Sequence, residues 1–245
     1  MEASQKLRNE LLFEKTSAEG VVRDGHNPIW DYEDDLLDGP VIDIGCGQSD
    51  ILLCFAATDR TLVAFDAEPL QLQWLKQLAS LQPSAKLENW HFLAGTFPTS
   101  PLPAHQYALI GLSNVLHFFP LEECVTAVTS LIPYMVSGTQ LYVRVHSASH
   151  EQSKVDDPEV RYDYFKHYFT PQDIARLFPQ EEFEQLYFAE VRSAYTRQDK
   201  EFDALWVRTW FHQQGDYDAV RIEEAVQAQL ADGSHTHLTA LMRKR

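Results

Sequence analysis

The residues with the clearest chemical potential are Asp43, Gly45, Gly47, Asp50 and Asp66. The run Val41-Ile42-Asp43-Ile44-Gly45-Cys46-Gly47-Gln48-Ser49-Asp50 takes a short apolar strand into two glycines spaced by one residue. Glycine lacks a Cβ, so such a turn can be sharp and a ligand can come close to its backbone. A second apolar run, Leu62-Val63-Ala64-Phe65, ends in Asp66. An acid there can accept hydrogen bonds from a sugar, and acids around the turn attract a cation.

Strand, glycine turn, helix, strand and acid is the order by which a Rossmann-like sheet holds a nucleoside. A dinucleotide site has a third glycine and seats a pyrophosphate on the helix N-terminus. The position of that glycine holds Asp50, which would repel a pyrophosphate, and Asp43 adds to the repulsion. S-adenosylmethionine carries a sulfonium and an ammonium and no phosphate. The same acids therefore favour it over a nicotinamide dinucleotide.

At these residues the chain resembles the class I S-adenosylmethionine-dependent methyltransferases. Their first motif, an acid followed by G-x-G-x-G, is matched by Asp43, Gly45, Cys46 and Gly47, with Ser49 in place of the last glycine. Asp66, followed by Ala67, matches the acid that accepts from both ribose hydroxyls. In the third motif, Phe92 to Phe97, Thr96 stands where an aspartate near the adenine is common. The segment Ser113-Asn114-Val115-Leu116-His117-Phe118-Phe119 resembles the fourth-strand exit of the small-molecule branch and differs from the N-P-P-Y signature of DNA and protein amide methylation. The run Tyr164 to Pro171 also resembles that branch.

The resemblance implies S-adenosylmethionine as cofactor and a small-molecule methyl acceptor. It implies cofactor contacts from Asp43, Gly45, Cys46, Gly47, Asp66, Ala67, Thr96 and Asn114. His117 is the candidate general base, or else a histidine packed beside Phe118 and Phe119. Asn114 would hydrogen-bond the amino-acid end of the ligand or cap the strand. Trp30 and Tyr32 are candidates for a pocket roof, or they pack an N-terminal extension onto the domain. His146 is a second base candidate. His146 with His150, and His235 with His237, are spaced for a metal, but neither pair supplies three or four ligands, so no metal is expected. Tyr162, Tyr164, Phe165 and Tyr168 would shape an acceptor pocket or pack the following helix.

The elements that must position these groups alternate between strand and helix. Strands are expected at residues 41–44, 62–65, 90–94, 108–112, 140–145 and 183–191, and helices at 50–58, 69–81 and 121–132. Alternation implies parallel crossovers. The fold class is α/β, a Rossmann-like doubly wound sheet of about seven strands. Residues 1–39 read as a helical N-terminal cap and 40–245 as the main domain. For the seventh strand, 203–211 alternates and could pair with the sixth. His237 to Met242 is preferred, which makes 199–233 an insertion with a helix around 217–231.

Composition sets the outer limits. The 245 residues suit one α/β domain, and 44% are hydrophobic, enough for a large core. A net charge of −16 repels phosphate backbones and makes nucleic acid an unfavoured partner. No apolar run approaches the roughly 20 residues of a membrane span, and Met1 to Lys6 lacks an apolar signal region. The three cysteines, Cys46, Cys54 and Cys124, suit reduced thiols. A cytoplasmic protein is expected. A non-catalytic cofactor-binding protein and a nicotinamide-dependent oxidoreductase stand as the rival readings on the same fold.

Overall fold

The structure is a computed structural model, and it describes residues 3–21, 27–150, 153, 165–194, 196–231 and 234–245. Strands β1 (Val41–Ile44), β2 (Leu62–Asp66), β3 (Trp90–Ala94), β4 (Leu109–Ser113), β5 (Gln140–His146), β6 (Phe183–Ala194) and β7 (Ser234–Lys244) form a seven-stranded sheet. Its order is β3-β2-β1-β4-β5-β7-β6. The first five strands are parallel, and β7 runs antiparallel between β5 and β6. The order reverses between β1 and β4. Ligands in open α/β sheets bind outside the strand carboxyl ends at such a reversal.

Helices α1 (Ala3–Glu19), α2 (Asp50–Cys54), α3 (Pro69–Leu81), α4 (Leu121–Thr129), α5 (Pro171–Leu177), α6 (Arg197–Gln213) and α7 (Ala219–Ala231) flank the sheet. Side chains alternate along a strand, and the two faces bury separate clusters. Ile42, Ile44, Ile110, Leu112, Val143 and Val145 pack with α4 and α5. Val41, Ala64, Leu109 and Tyr142 pack with α2, α3 and a 3-10 segment, Pro28–Asp35. By the same alternation Asp43 and Arg144 project on this second face. Apolar residues at helical spacing, Leu72, Leu75, Leu78 and Ala79, explain how α3 docks there.

The helical reading of 203–211 replaces the hairpin alternative. Asp203, Ala204 and Val207 are the buried positions of α6, a helical spacing rather than a period of two. Helices α6 and α7 share a small core of Ala204, Val207 and Val226. The helix expected at 50–58 is shorter, because Phe55 caps it and Thr58 Oγ1 donates back to the Phe55 carbonyl at 2.8 Å. No helix among the described residues is long and apolar enough to cross a membrane.

Candidate functional site

The two glycines after β1 serve different ends. Gly45 has φ +65°, and a Cβ on it would lie 2.5 Å from Val115 Cγ2. Its N–H donates to the Phe65 carbonyl at 2.7 Å, fixing the turn to β2. Gly47 has φ +51°, but a Cβ there would meet nothing within 4 Å. That side of the loop is open to a ligand. The Gly47 N–H donates to Asp66 Oδ2 at 2.8 Å, so the turn and the acid of β2 are one unit.

Asp43 is 3% exposed, which is unusual for a carboxylate. Ser49 Oγ donates to its Oδ2 at 2.6 Å and accepts from the Leu52 N–H at 3.0 Å. The serine that stands in place of the last motif glycine is therefore both the N-cap of α2 and the support of the buried acid. Asp43 Oδ1 has no hydrogen-bond partner among the described residues. It lies over Gly111, where a Cβ would approach it to 2.5 Å. Burial pushes the Asp43 pKa up to about 7; the Ser49 bond opposes this, and the nearby Asp66 and Asp50 add to it. Ser49→Ala should cost about 1–3 kcal/mol, from the lost cap and a newly orphaned carboxylate oxygen. A denaturant midpoint equal to that of the unaltered protein would refute the double role.

Asp66 Oδ1 accepts from the Glu68 N–H at 2.8 Å, and Oδ2 accepts from Gly47. Each oxygen keeps a second lone pair. Burial raises the Asp66 pKa, against the backbone bonds from Glu68 and Gly47. Ala67 follows it, exposed at the strand exit. Thr96 is also exposed, in a turn closed by its own backbone: its N–H donates to Ser100 Oγ at 3.0 Å and its carbonyl accepts from the Ser100 N–H at 2.7 Å. It follows Gly95, whose N–H donates to the Asp66 carbonyl at 2.9 Å, so Thr96 flanks Asp66 along the sheet edge.

At the β4 exit Asn114 takes φ +58°, a left-handed conformation that asparagine tolerates better than most residues. Its N–H donates to the Arg144 carbonyl at 2.8 Å. Asp43, Cys46, Gln48, Ser49, Ser113 and Asn114 line a cleft of about 240 Å³ at the strand carboxyl ends. Tyr142 and Arg144 of β5 and Leu12, Asn27 and Trp30 of the N-terminal segment complete its wall. Trp30 thus reaches the cleft, whereas the Tyr32 hydroxyl donates to the Leu186 carbonyl at 2.9 Å. Gln48 Nε2 donates to the Asn9 carbonyl at 2.8 Å and ties the loop to α1. Helix α1 is held in turn by Trp206 Nε1 donating to the Ser4 carbonyl at 2.9 Å.

His117 stands apart from that wall. It is 1% exposed, and its ring lies 4.3 Å from that of His146, 4.5 Å from Phe118 and 4.8 Å from Phe165. Burial, with His150 nearby, pushes its pKa down to about 3. His146 also lies 4.8 Å from His150 and 4.8 Å from His237. Members of the two separate sequence pairs thus meet in one buried cluster. Among the described residues no group of three or more His, Cys, Asp or Glu side chains is arranged to hold a metal ion. Tyr162, Tyr164 and the His235 side chain lie outside the described residues.

Arg144 and Tyr142 were missed by motif reasoning. Their signal is the alternation of β5, which puts them on the face that carries Asp43. Asp43 Oδ1, buried and without a partner among the described residues, and the open side of Gly47 fit a cationic nucleoside ligand.

Residues 41–138 match the family model of a methyltransferase domain. Among solved structures, the chain resembles coclaurine N-methyltransferase bound to N-methylheliamine and S-adenosylhomocysteine, with 12% identity and a TM-score of 0.67 over 98% of this chain and 85% of that one. It resembles an S-adenosylmethionine-dependent methyltransferase of Methanosarcina mazei with 15% identity and a TM-score of 0.57 over 87% and 96%. It also resembles the [4+2]-cyclase SpnF, with 17% identity and a TM-score of 0.61 over 98% and 95%. Likeness at such identities speaks for the fold, and one fold hosts several chemistries. No curated protein matches the sequence.

Proposed function

We propose that the chain, whose residues 41–138 match the family model of a methyltransferase domain, is a class I enzyme that transfers a methyl group from S-adenosylmethionine to a small-molecule acceptor. The observation that carries the reading is the cleft at the sheet reversal, where Asp43 is buried with one oxygen unpartnered among the described residues; Asp66, on the adjoining strand, is tied to the same turn by the Gly47 N–H. The cofactor, when bound, supplies an activated methyl on a sulfonium. The chain's own residues bind and align. Asp66 offers its remaining lone pairs to the ribose hydroxyls. Asp43 and Asp50 offer negative charge to the ammonium and sulfonium. The open side of Gly47 lets the ligand approach the loop.

Proximity and alignment supply most of the acceleration in such a transfer. An acceptor that arrives with a free lone pair needs no base. His117, neutral through the physiological range with its pKa near 3, suits orienting an acceptor better than removing its proton. A net charge of −16 disfavours a nucleic-acid acceptor. The aromatic group of Phe118, Phe165 and Tyr168 beside His117 suits a small organic one.

Titration calorimetry with S-adenosylhomocysteine tests the reading, and no heat at high micromolar ligand would sink it. Asp66→Ala should weaken that binding by about 1–3 kcal/mol, the scale of buried polar groups left unpaired. Unchanged affinity in a folded variant would remove Asp66 from the ribose site. A second reading, cofactor binding with other chemistry or none, is favoured by the likeness to SpnF. Tight S-adenosylhomocysteine binding with no methyl transfer across a broad acceptor panel would support it.

A further inference from the structure

We propose that Arg144 is the residue that takes the carboxylate at the amino-acid end of the cofactor, opposite the acids that take its ammonium, so that the cleft recognises a zwitterion. This rests on the cofactor reading above. Three observations carry it.

The first is placement. Arg144 lines the cleft with Asp43, Asp50, Ser113 and Asn114, and it is the one cation among the described lining residues. The second is an unmet donor. Arg144 Nε is buried and has no hydrogen-bond partner among the described residues. A guanidinium is always charged and presents its donors in a planar fork that fits a carboxylate. Leaving a buried donor unmade is costly, so Arg144 Nε is a donor to which an anionic group would add a favourable bond.

The third is the spacing of opposite charges. Asp43 pairs in register with Gly111, and Gly111 with Tyr142; Arg144 is paired with Ser113. Arg144 follows Tyr142 by two residues and so projects on the same face. Two strand spacings, about 10 Å, separate the backbones of β1 and β5. Gly111, between them, puts no side chain in the gap, and Ser113 puts only a short one. An α-amino acid group, ammonium on one side and carboxylate on the other, suits a gap bounded by an acid and a guanidinium. The acids alone would attract any cation. The arginine adds a demand for the carboxylate.

The test uses two ligands that differ only in that group, S-adenosylhomocysteine and its decarboxylated analogue, titrated into the unaltered protein and into Arg144→Gln by competition calorimetry. The unaltered protein should prefer S-adenosylhomocysteine by roughly ten- to hundredfold, the range of charge-assisted bidentate pairs. Arg144→Gln should lose that preference while keeping its affinity for the decarboxylated ligand within about twofold, a small margin against the range of such pairs. Arg144→Lys should restore part of it, since the charge returns without the fork. A preference that survives in Arg144→Gln would overturn the assignment. Equal losses for both ligands would overturn it too, because the effect would not belong to the carboxylate. Failure of the unaltered protein to bind S-adenosylhomocysteine would instead overturn the cofactor reading on which the assignment stands.

Discussion

Gly45→Ala should destabilise the protein by about 2–5 kcal/mol: roughly 1–2 from a left-handed backbone and roughly 1–3 from overpacking. The Cβ would lie 2.5 Å from Val115 Cγ2, and valine, branched at Cβ, has few rotamers with which to yield. The double variant Gly45→Ala with Val115→Ala separates the two costs. It should show favourable coupling of about 1–3 kcal/mol, because removing Val115 relieves the clash and not the φ strain. Gly47→Ala is the contrast. Its added Cβ meets no protein atom within 4 Å, so its stability loss should stop at the φ cost, about 1–2 kcal/mol. Its main effect should be on ligand affinity, since the new methyl occupies the open side of the loop. Equal stability losses for the two alanine variants would contradict this division of roles.

Cofactor affinity should rise steeply with pH and then level off near neutrality. Asp43 holds its proton up to about pH 7, against an ordinary value near 4. A cationic ligand favours the carboxylate, so binding expels the proton. Affinity should therefore climb up to tenfold per pH unit below 7, roughly a hundredfold from pH 5 to 7, and flatten above it. The free protein has the opposite trend. A carboxyl with a raised folded pKa contributes stability that is full below its unfolded value and is lost as pH rises through about 7. Asp43→Asn should remove most of the affinity slope. Asp66, also raised by burial, leaves a remainder. Calorimetry at several pH values, in buffers of different ionisation enthalpy, reads both the slope and the released proton. A flat profile from pH 5 to 7 would take Asp43 out of contact with the ligand's charge.

The parallel half of the sheet was open to sequence reading, because its strands are short, apolar and separated by amphipathic helices. The expected β1, α3 and β3 coincide with the observed Val41–Ile44, Pro69–Leu81 and Trp90–Ala94. The Rossmann-like architecture and the glycine turn after β1 followed from them. The segment 203–211 was ambiguous because six aromatic or aliphatic residues in nine fit two periods; packing against α7 settles it as helix. Ser49 read as an imperfect motif residue. Its second role depends on Asp43 lying 2.6 Å away, a contact that spacing alone does not express. Arg144 was hidden for a different reason: a charged residue inside a strand looks like a solvent-facing position until the neighbouring strands are known. The histidine cluster likewise joins the turn after β4, which carries His117, to β5 and β7, whose contacts are distant in sequence.

The position of β7 has a bearing on how the chain is made. During synthesis β5 forms its ladder with β4 on one side only, since its other neighbour, residues 234–244, has not yet emerged. Strand β6, made after β5, also emerges before its partner, because among the described strands it pairs with β7 alone. A nascent chain that has passed Ala231 therefore presents an unpaired apolar edge at β5 and a loose β6 to solvent or to a chaperone. The eleven-residue β7 then pairs with both at once. Closure of this side of the sheet therefore waits on β7, and it brings His237 against His146.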